Sequence, residues 1–144
     1  MIRNEFVAAT AAAAVAAGAL AAGPALAAPT KLTATLSGPA ETPPGKPDGV
    51  GGFTATVNPE TNDFCYSLWA DKIGKPTMAH VHSGAAGASG PPVLTLDVTG
   101  KDDDACLAVD KDKLDPIVAN PAGYYVNVHT AEFPAGAVRG QLAK

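Results

Sequence analysis

The sequence predicts an all-β protein, an antiparallel β-sandwich closed by a disulfide. Three observations predict it. Past residue 28, apolar residues recur with a period of two in short runs, as in strands that bury one face. Glycine and proline, 15 and 13 of the 144 residues, stand between those runs as turn formers. The two cysteines, Cys65 and Cys106, both fall inside strand-like runs.

Each element has its own warrant. Leu32-Thr33-Ala34-Thr35-Leu36 alternates cleanly and predicts a first strand. Pro39 to Gly49 carries four prolines and predicts a loop. Phe53 to Val57 and Phe64 to Ala70 predict a hairpin around Asn58-Pro59-Glu60-Thr61-Asn62-Asp63, a stretch of turn residues. Thr77 to His82 is the next strand; the loop Ser83 to Pro91 leads to Val93 to Val98, and Ala105 to Val109 follows. One short helix is predicted between Lys111 and Ala119, with Asp112 as its cap, Leu114, Ile117 and Val118 as its apolar stripe, and Asn120-Pro121 as its stop. Tyr124 to Thr130, a turn at Glu132 to Gly136, and Ala137 to Leu142 close the chain. About seven or eight strands with no repeat and no second domain suit a Greek-key, immunoglobulin-like sandwich.

The first 27 residues predict a secretory signal peptide. Arg3 is the positive start, Phe6 to Ala22 the apolar run, and Ala25-Leu26-Ala27 the small-x-small cleavage site. That run is alanine-rich and shorter than the ~20 apolar residues a spanning helix needs, so no stable membrane span is expected after processing. The residue directly after Ala27 is Ala28 and not a cysteine, which argues against a lipid-anchored start. The domain is then 28–144, secreted or periplasmic. Losing Arg3 and Glu5 removes one charge of each sign, so the net charge of −4 persists. An acidic domain excludes nucleic acid as partner. Asp102-Asp103-Asp104 predicts a solvated turn, because the spaced acidic pattern of a calcium loop is absent. In an oxidising compartment Cys65 and Cys106 predict a disulfide, closing a loop of about 42 residues worth roughly 4 kcal/mol.

All three histidines lie in two segments, Met78-Ala79-His80-Val81-His82 and Val128-His129-Thr130. On a strand, Met78, His80 and His82 share one face and Ala79 and Val81 the other. In the final hairpin Val126, Val128, Val138 and Leu142 predict the core face. Tyr125, Asn127, His129, Arg139 and Gln141 are left on the other. If the two segments are neighbours, His80, His82 and His129 converge, with Met78 as a soft fourth ligand. Imidazoles with a thioether favour copper over zinc. Asn127, Arg139, Gln141 and Tyr125 are then the residues that orient the imidazoles.

The same residues carry a family resemblance. Ala79-His80-Val81-His82-Ser83-Gly84-Ala85-Ala86-Gly87 with Gly90-Pro91-Pro92-Val93 resembles the central motif of the chordin-type (CHRD) domain. Asn120-Pro121, Tyr124 to Thr130 and Pro134 to Leu142 resemble its C-terminal motif, and Thr54 to Pro59 fits its hairpin. The resemblance implies an extracellular β-sandwich and gives little about biochemistry, since fold does not dictate function. Chordin itself antagonises extracellular growth factors, but it also has cysteine-rich modules that this chain lacks.

The function this predicts is a non-catalytic binding module, holding a copper-type ion or, alternatively, recognising an extracellular protein or glycan with structural histidines. A superoxide-dismutase-like enzyme needs more than the three histidines present. Ser83 and Ser89 lack the context of a hydrolytic nucleophile. Gly84 to Gly90 leads into a strand rather than a helix, so it predicts a flexible turn and not a phosphate cradle. A small anion held there by Arg139 is a minor alternative. Trp69 is expected in the core beside the disulfide; an exposed Trp69 would favour glycan or protein binding.

Overall fold

A computed structural model describes residues 28–144. The segment expected to be the signal peptide lies outside them. The strands are β1 (Thr30–Ser37), β2 (Val50–Asn58), β3 (Asp63–Asp71), β4 (Pro76–Ser83), β5 (Pro92–Leu96), β6 (Ala105–Ala108), β7 (Tyr124–Thr130) and β8 (Val138–Gln141). A single α-helix, α1 (Lys111–Ala119), stands between β6 and β7 among the described residues, with short 3-10 turns at Gly38–Ala40 and Pro121–Gly123. Every strand run read from the sequence is a strand. The helix cap differs: Asp110 occupies it, and Asp112 sits in the first turn.

The strands form one continuous antiparallel sheet in the order β5-β4-β7-β8-β1-β2-β3-β6. Two separate sheets had been the expectation; here β8 connects the halves. It pairs along β7, then meets β1 through a narrow seam, Ser37 opposite Arg139 and a bridge between Thr33 and Ala143. Gly140 permits that approach, because a Cβ there would overlap the Thr35 carbonyl.

The sheet curls. The chain leaving β5, at one edge, reaches β3 near the other. The Asp97 N–H donates to Tyr66 Oη at 2.9 Å, and the Gly100 N–H to the Leu68 carbonyl at 3.0 Å. Thr99 Oγ1 accepts from the Leu68 N–H at 3.0 Å. One core therefore serves all strands. Leu32 and Leu36, Phe53 and Val57, Phe64, Tyr66 and Leu68, Val81, Val126 and Val128 are fully buried in it, and Leu114 and Ile117 of α1 join them. The register explains the selection: Ala79 faces Val128, Val81 faces Val126, and Val128 faces Val138.

Parity also corrects the expectation for Trp69. Phe64, Tyr66 and Leu68 point inward, so Cys65, Ser67 and Trp69 point outward. Trp69 is half-buried on the outer face and packs over Gly52, where a Cβ would come within 2.5 Å of the indole nitrogen.

Cys65 and Cys106 are directly opposed on β3 and β6 and form a disulfide with Cα atoms 4.0 Å apart. The bond fastens the short edge strand β6 to the sheet. A Cys65→Ala/Cys106→Ala variant is expected to lose about 3–4 kcal/mol of stability in urea unfolding. A loss under about 0.5 kcal/mol would mean that pairing alone holds β6 in place.

Candidate metal centre

β4 and β7 are antiparallel neighbours, with Met78 opposite His129, His80 opposite Asn127, and His82 opposite Tyr125. On the far side of β7, Asn127 faces Arg139 and Tyr125 faces Gln141. The two histidine segments thus adjoin, and their polar residues share the outer face of the sheet.

That face is covered. Tyr125, Asn127, His129 and Arg139 are 3%, 2%, 8% and 2% exposed, while His80 and His82 are half-buried. The Gly84–Gly90 loop forms part of the cover. Arg139 Nη2 donates to the carbonyls of Ala85 and Ala88 at 3.1 and 2.6 Å. Gln141 Nε2 lies 2.7–2.8 Å from those of Gly84, Ala122 and Tyr124, which share its two N–H donors. The loop expected as a flexible turn is therefore fastened to β8. Both Nη2 hydrogens of Arg139 are spent on the Ala85 and Ala88 carbonyls, and its guanidinium lies over the Tyr125 ring.

The imidazoles of His80, His82 and His129 each offer a nitrogen, all within 4.8 Å of one another. Backbone carbonyls set two of the tautomers. His82 Nδ1–H donates to Gly90 O at 2.7 Å, and His129 Nδ1–H to Pro134 O at 3.0 Å. A carbonyl only accepts, so in each ring the proton sits on Nδ1 and the lone pair on Nε2. His82 Nε2 is buried and has no hydrogen-bond partner. His129 Nε2 lies 3.1 Å from His80 Nδ1. Two nitrogens bound to one ion at ~2.0–2.1 Å stand about 3 Å apart, so this spacing suits shared coordination.

Electrostatics agree. Burial lowers the basicity of His80, and the neighbouring His129 and His82 lower it further. Burial likewise lowers that of His129, against the opposing pull of its bond to Pro134. Neutral imidazoles are the form a metal ion needs, and the His80 Nδ1–H now donating to His129 Nε2 would give way to the ion.

Met78 shares the face and stands opposite His129 in the ladder, but it is 52% exposed. The proposed supporting residues divide by contact. Tyr125 stacks on the His82 ring, centroids 4.9 Å apart and planes within 6°, and its hydroxyl accepts from the Gly90 N–H at 3.3 Å. The Arg139 guanidinium carbon lies 3.4 Å from the Tyr125 ring centre. Arg139 and Gln141 make no hydrogen bond to an imidazole; they reach the site through Tyr125 and the loop. Gly90, between His82 and Tyr125, has no room for a side chain, since a Cβ would overlap the Ser83 carbonyl.

Sequence reasoning missed Glu41, in the proline-rich loop. It is 5% exposed, and a Cβ at Gly136 would overlap its carboxylate. Its Oε1 and the Oδ1 of Asn127 are both buried without a partner. Burial raises its pKa from 4.5 to about 7, with Arg139 and then Asn127 opposing. A lone glutamate among prolines carries no pattern that marks it for burial.

The fold and the site define a disulfide-bridged, all-β module with a partly covered histidine cluster. Residues 32–142 match the CHRD domain, and the chain belongs to that family. No curated protein and no solved structure is a significant match to it.

Glu41 generates a pH prediction. Its folded pKa, about 7, lies above the ordinary 4.5, so the fold favours the protonated acid. Its contribution is full below pH 4.5 and is lost as pH rises through about 7. The stability difference between Glu41→Gln and the parent, read by urea unfolding, should shift in favour of the variant from pH 4.5 to 8. His80 and His129 act oppositely, losing stability as pH falls below their ordinary range, and cancel in that difference. A flat difference would mean Glu41 is not held as the acid.

Proposed function

We propose that this protein is an exported, non-catalytic binding module that holds a copper-type metal ion through His80, His82 and His129. The observation that carries the proposal is the buried, unpartnered Nε2 of His82, in a cluster where each of three imidazoles offers a nitrogen within 4.8 Å of the others. Carbonyls behind His82 and His129 supply the outer hydrogen bonds that metal-bound histidines use to fix their tautomer. Met78, at the exposed rim, is the soft ligand that favours copper over zinc. Tyr125, backed by Arg139, orients His82, while Gln141 holds the loop and Asn127 fills the face beside His80.

Secretion or a periplasmic location is part of the proposal, supported by the disulfide and the family. Among the described residues no helix is long and apolar enough to cross a membrane. We further take the halves β5-β4-β7-β8 and β1-β2-β3-β6 as the two layers of the expected Greek-key sandwich, joined at the β8–β1 seam.

The test is titration of the protein with Cu(I), Cu(II) and Zn(II) beside a His80→Ala/His82→Ala variant, followed by calorimetry and by thermal melting. The proposal expects one ion per chain, bound at about 1 μM or tighter, with binding lost in a variant that still melts cooperatively. Affinity should fall as pH drops below 6.5, the ordinary value for histidine, because protons compete for the lone pairs. Met78→Leu should weaken Cu(I) by more than Zn(II). A parent that binds none of the three ions sinks the metal reading. The half-buried Trp69 on the outer face then makes glycan or protein recognition the reading to pursue.

A further inference from the structure

The two halves of the sheet have different outer faces. Over β4, β7 and β8 the polar side chains lie under a loop. Over β1, β2 and β3, Thr35 and Thr54 are exposed, and Thr33 and Ser67 are half-exposed. The register sets these residues in two cross-strand rows, Thr33, Thr54 and Ser67 in one and Thr35, Gly52 and Trp69 in the next. Neighbours within a row stand ~4.8 Å apart, and the rows are ~6.7 Å apart.

Trp69 gives the second row an aromatic surface. Gly52 has no side chain, and the indole fills the space above it: a Cβ there would meet Nε1 at 2.5 Å and Cζ2 at 3.1 Å. The indole therefore lies across β2 toward Thr35 instead of standing out from β3. Indole, threonines and Ser67 line an open concavity of about 350 Å³, within the range of small-molecule sites. Lys101 joins the lining, its Nζ 5.8 Å from the indole centre. Thr54 Oγ1 and Ser67 Oγ share a hydrogen bond at 3.1 Å. A hydroxyl carries one donor and two acceptors, so the pair still both donates and accepts toward solvent.

This lining selects its occupant by chemistry. An aromatic plane beside accessible hydroxyls suits a ring with an apolar C–H face and hydroxyls around its edge, which describes a pyranose. A peptide strand has no place here, because the backbone of β2 is already paired with β1 and β3. An anion is not selected either. Lys101 is followed by Asp102, Asp103 and Asp104, so the four residues together carry a charge of −2.

We infer that this concavity binds a neutral pyranose unit of a glycan, with the sugar's C–H face on the Trp69 indole and its hydroxyls bonded to Thr54, Ser67 and Lys101 Nζ. The site shares no residue with the histidine cluster and stands whether or not the histidines bind an ion.

Trp69 is the only tryptophan, so its fluorescence and its indole N–H signal report on this site alone. The experiment is a titration, read by fluorescence and by amide-resolved NMR, with the neutral trisaccharides of glucose, galactose, mannose and N-acetylglucosamine, and with trigalacturonate. At least one neutral sugar is expected to bind with Kd at about 1 mM or tighter, shifting the Trp69 indole N–H and the amides of Thr54 and Ser67. Trigalacturonate should bind more weakly than the best neutral sugar. Trp69→Ala, followed by NMR, should weaken binding at least about tenfold. Thr54→Val/Ser67→Ala removes two exposed hydroxyls, leaves the core untouched, and should also cost about tenfold. Should Trp69→Ala not fold, that double variant decides the matter. No binding by any neutral sugar, shifts centred elsewhere, tighter binding of trigalacturonate, or full affinity in the double variant would overturn the inference.

Discussion

β7 is buried on both faces, and its register against β4 governs core and site together. Val126 and Val128 enter the core while Tyr125, Asn127 and His129 face the covered outer layer. A slip of one residue would drive His129 and Asn127 into the core and carry the valines out. Hydrophobic burial therefore specifies the register, and the histidine geometry follows from it. Met78 opposite His129 and His80 opposite Asn127 place the imidazoles diagonally, close enough for one nitrogen of each to converge.

The outer layer is polar and dry, which is costly unless its groups are paired. Most are. Arg139 and Gln141 satisfy carbonyls of the loop after β4, so the loop that covers the site is bound by the strand beneath it. Tyr125 lies between the Arg139 guanidinium and the His82 ring, so a cation stabilises the stack without addressing the imidazole directly. The exceptions cluster: His82 Nε2, Asn127 Oδ1 and Glu41 Oε1 are unpartnered in this one layer. Unpaired acceptors in a covered layer are what a ligand or a proton would satisfy, and Glu41 takes the proton by keeping its carboxyl neutral up to about pH 7.

The other half of the sheet is arranged differently. β1, β2 and β3 pair over long, regular ladders, and the Cys65–Cys106 bond adds β6 at the edge. α1 packs Leu114 and Ile117 into the core and leaves an apolar recess beside Asn62. One half thus carries ordered polar chemistry, and the other carries long ladders, the cross-link and an apolar cavity.

Much of this was legible in the residues. Period-two alternation placed most of the strands, because a strand that buries one face must write that face into its sequence; the short β6 showed only as an apolar piece. The same parity put His80, His82 and His129 on the face opposite Val81, Val126 and Val128. The cysteines and the CHRD motifs were equally local signals. Local pattern could not say that eight strands form one curled sheet, since a seam as narrow as Ser37 opposite Arg139 leaves no periodic trace. Parity with Cys65 and Ser67 already puts Trp69 on the outer face; what local pattern could not say is that Arg139 reaches backbone carbonyls of a distant loop. The burial of Glu41, which depends on loops far apart in sequence closing over it, was likewise out of reach. Alternation decides which face a side chain takes; only the folding of distant loops onto that face decides whether it meets water, a carbonyl or another ring.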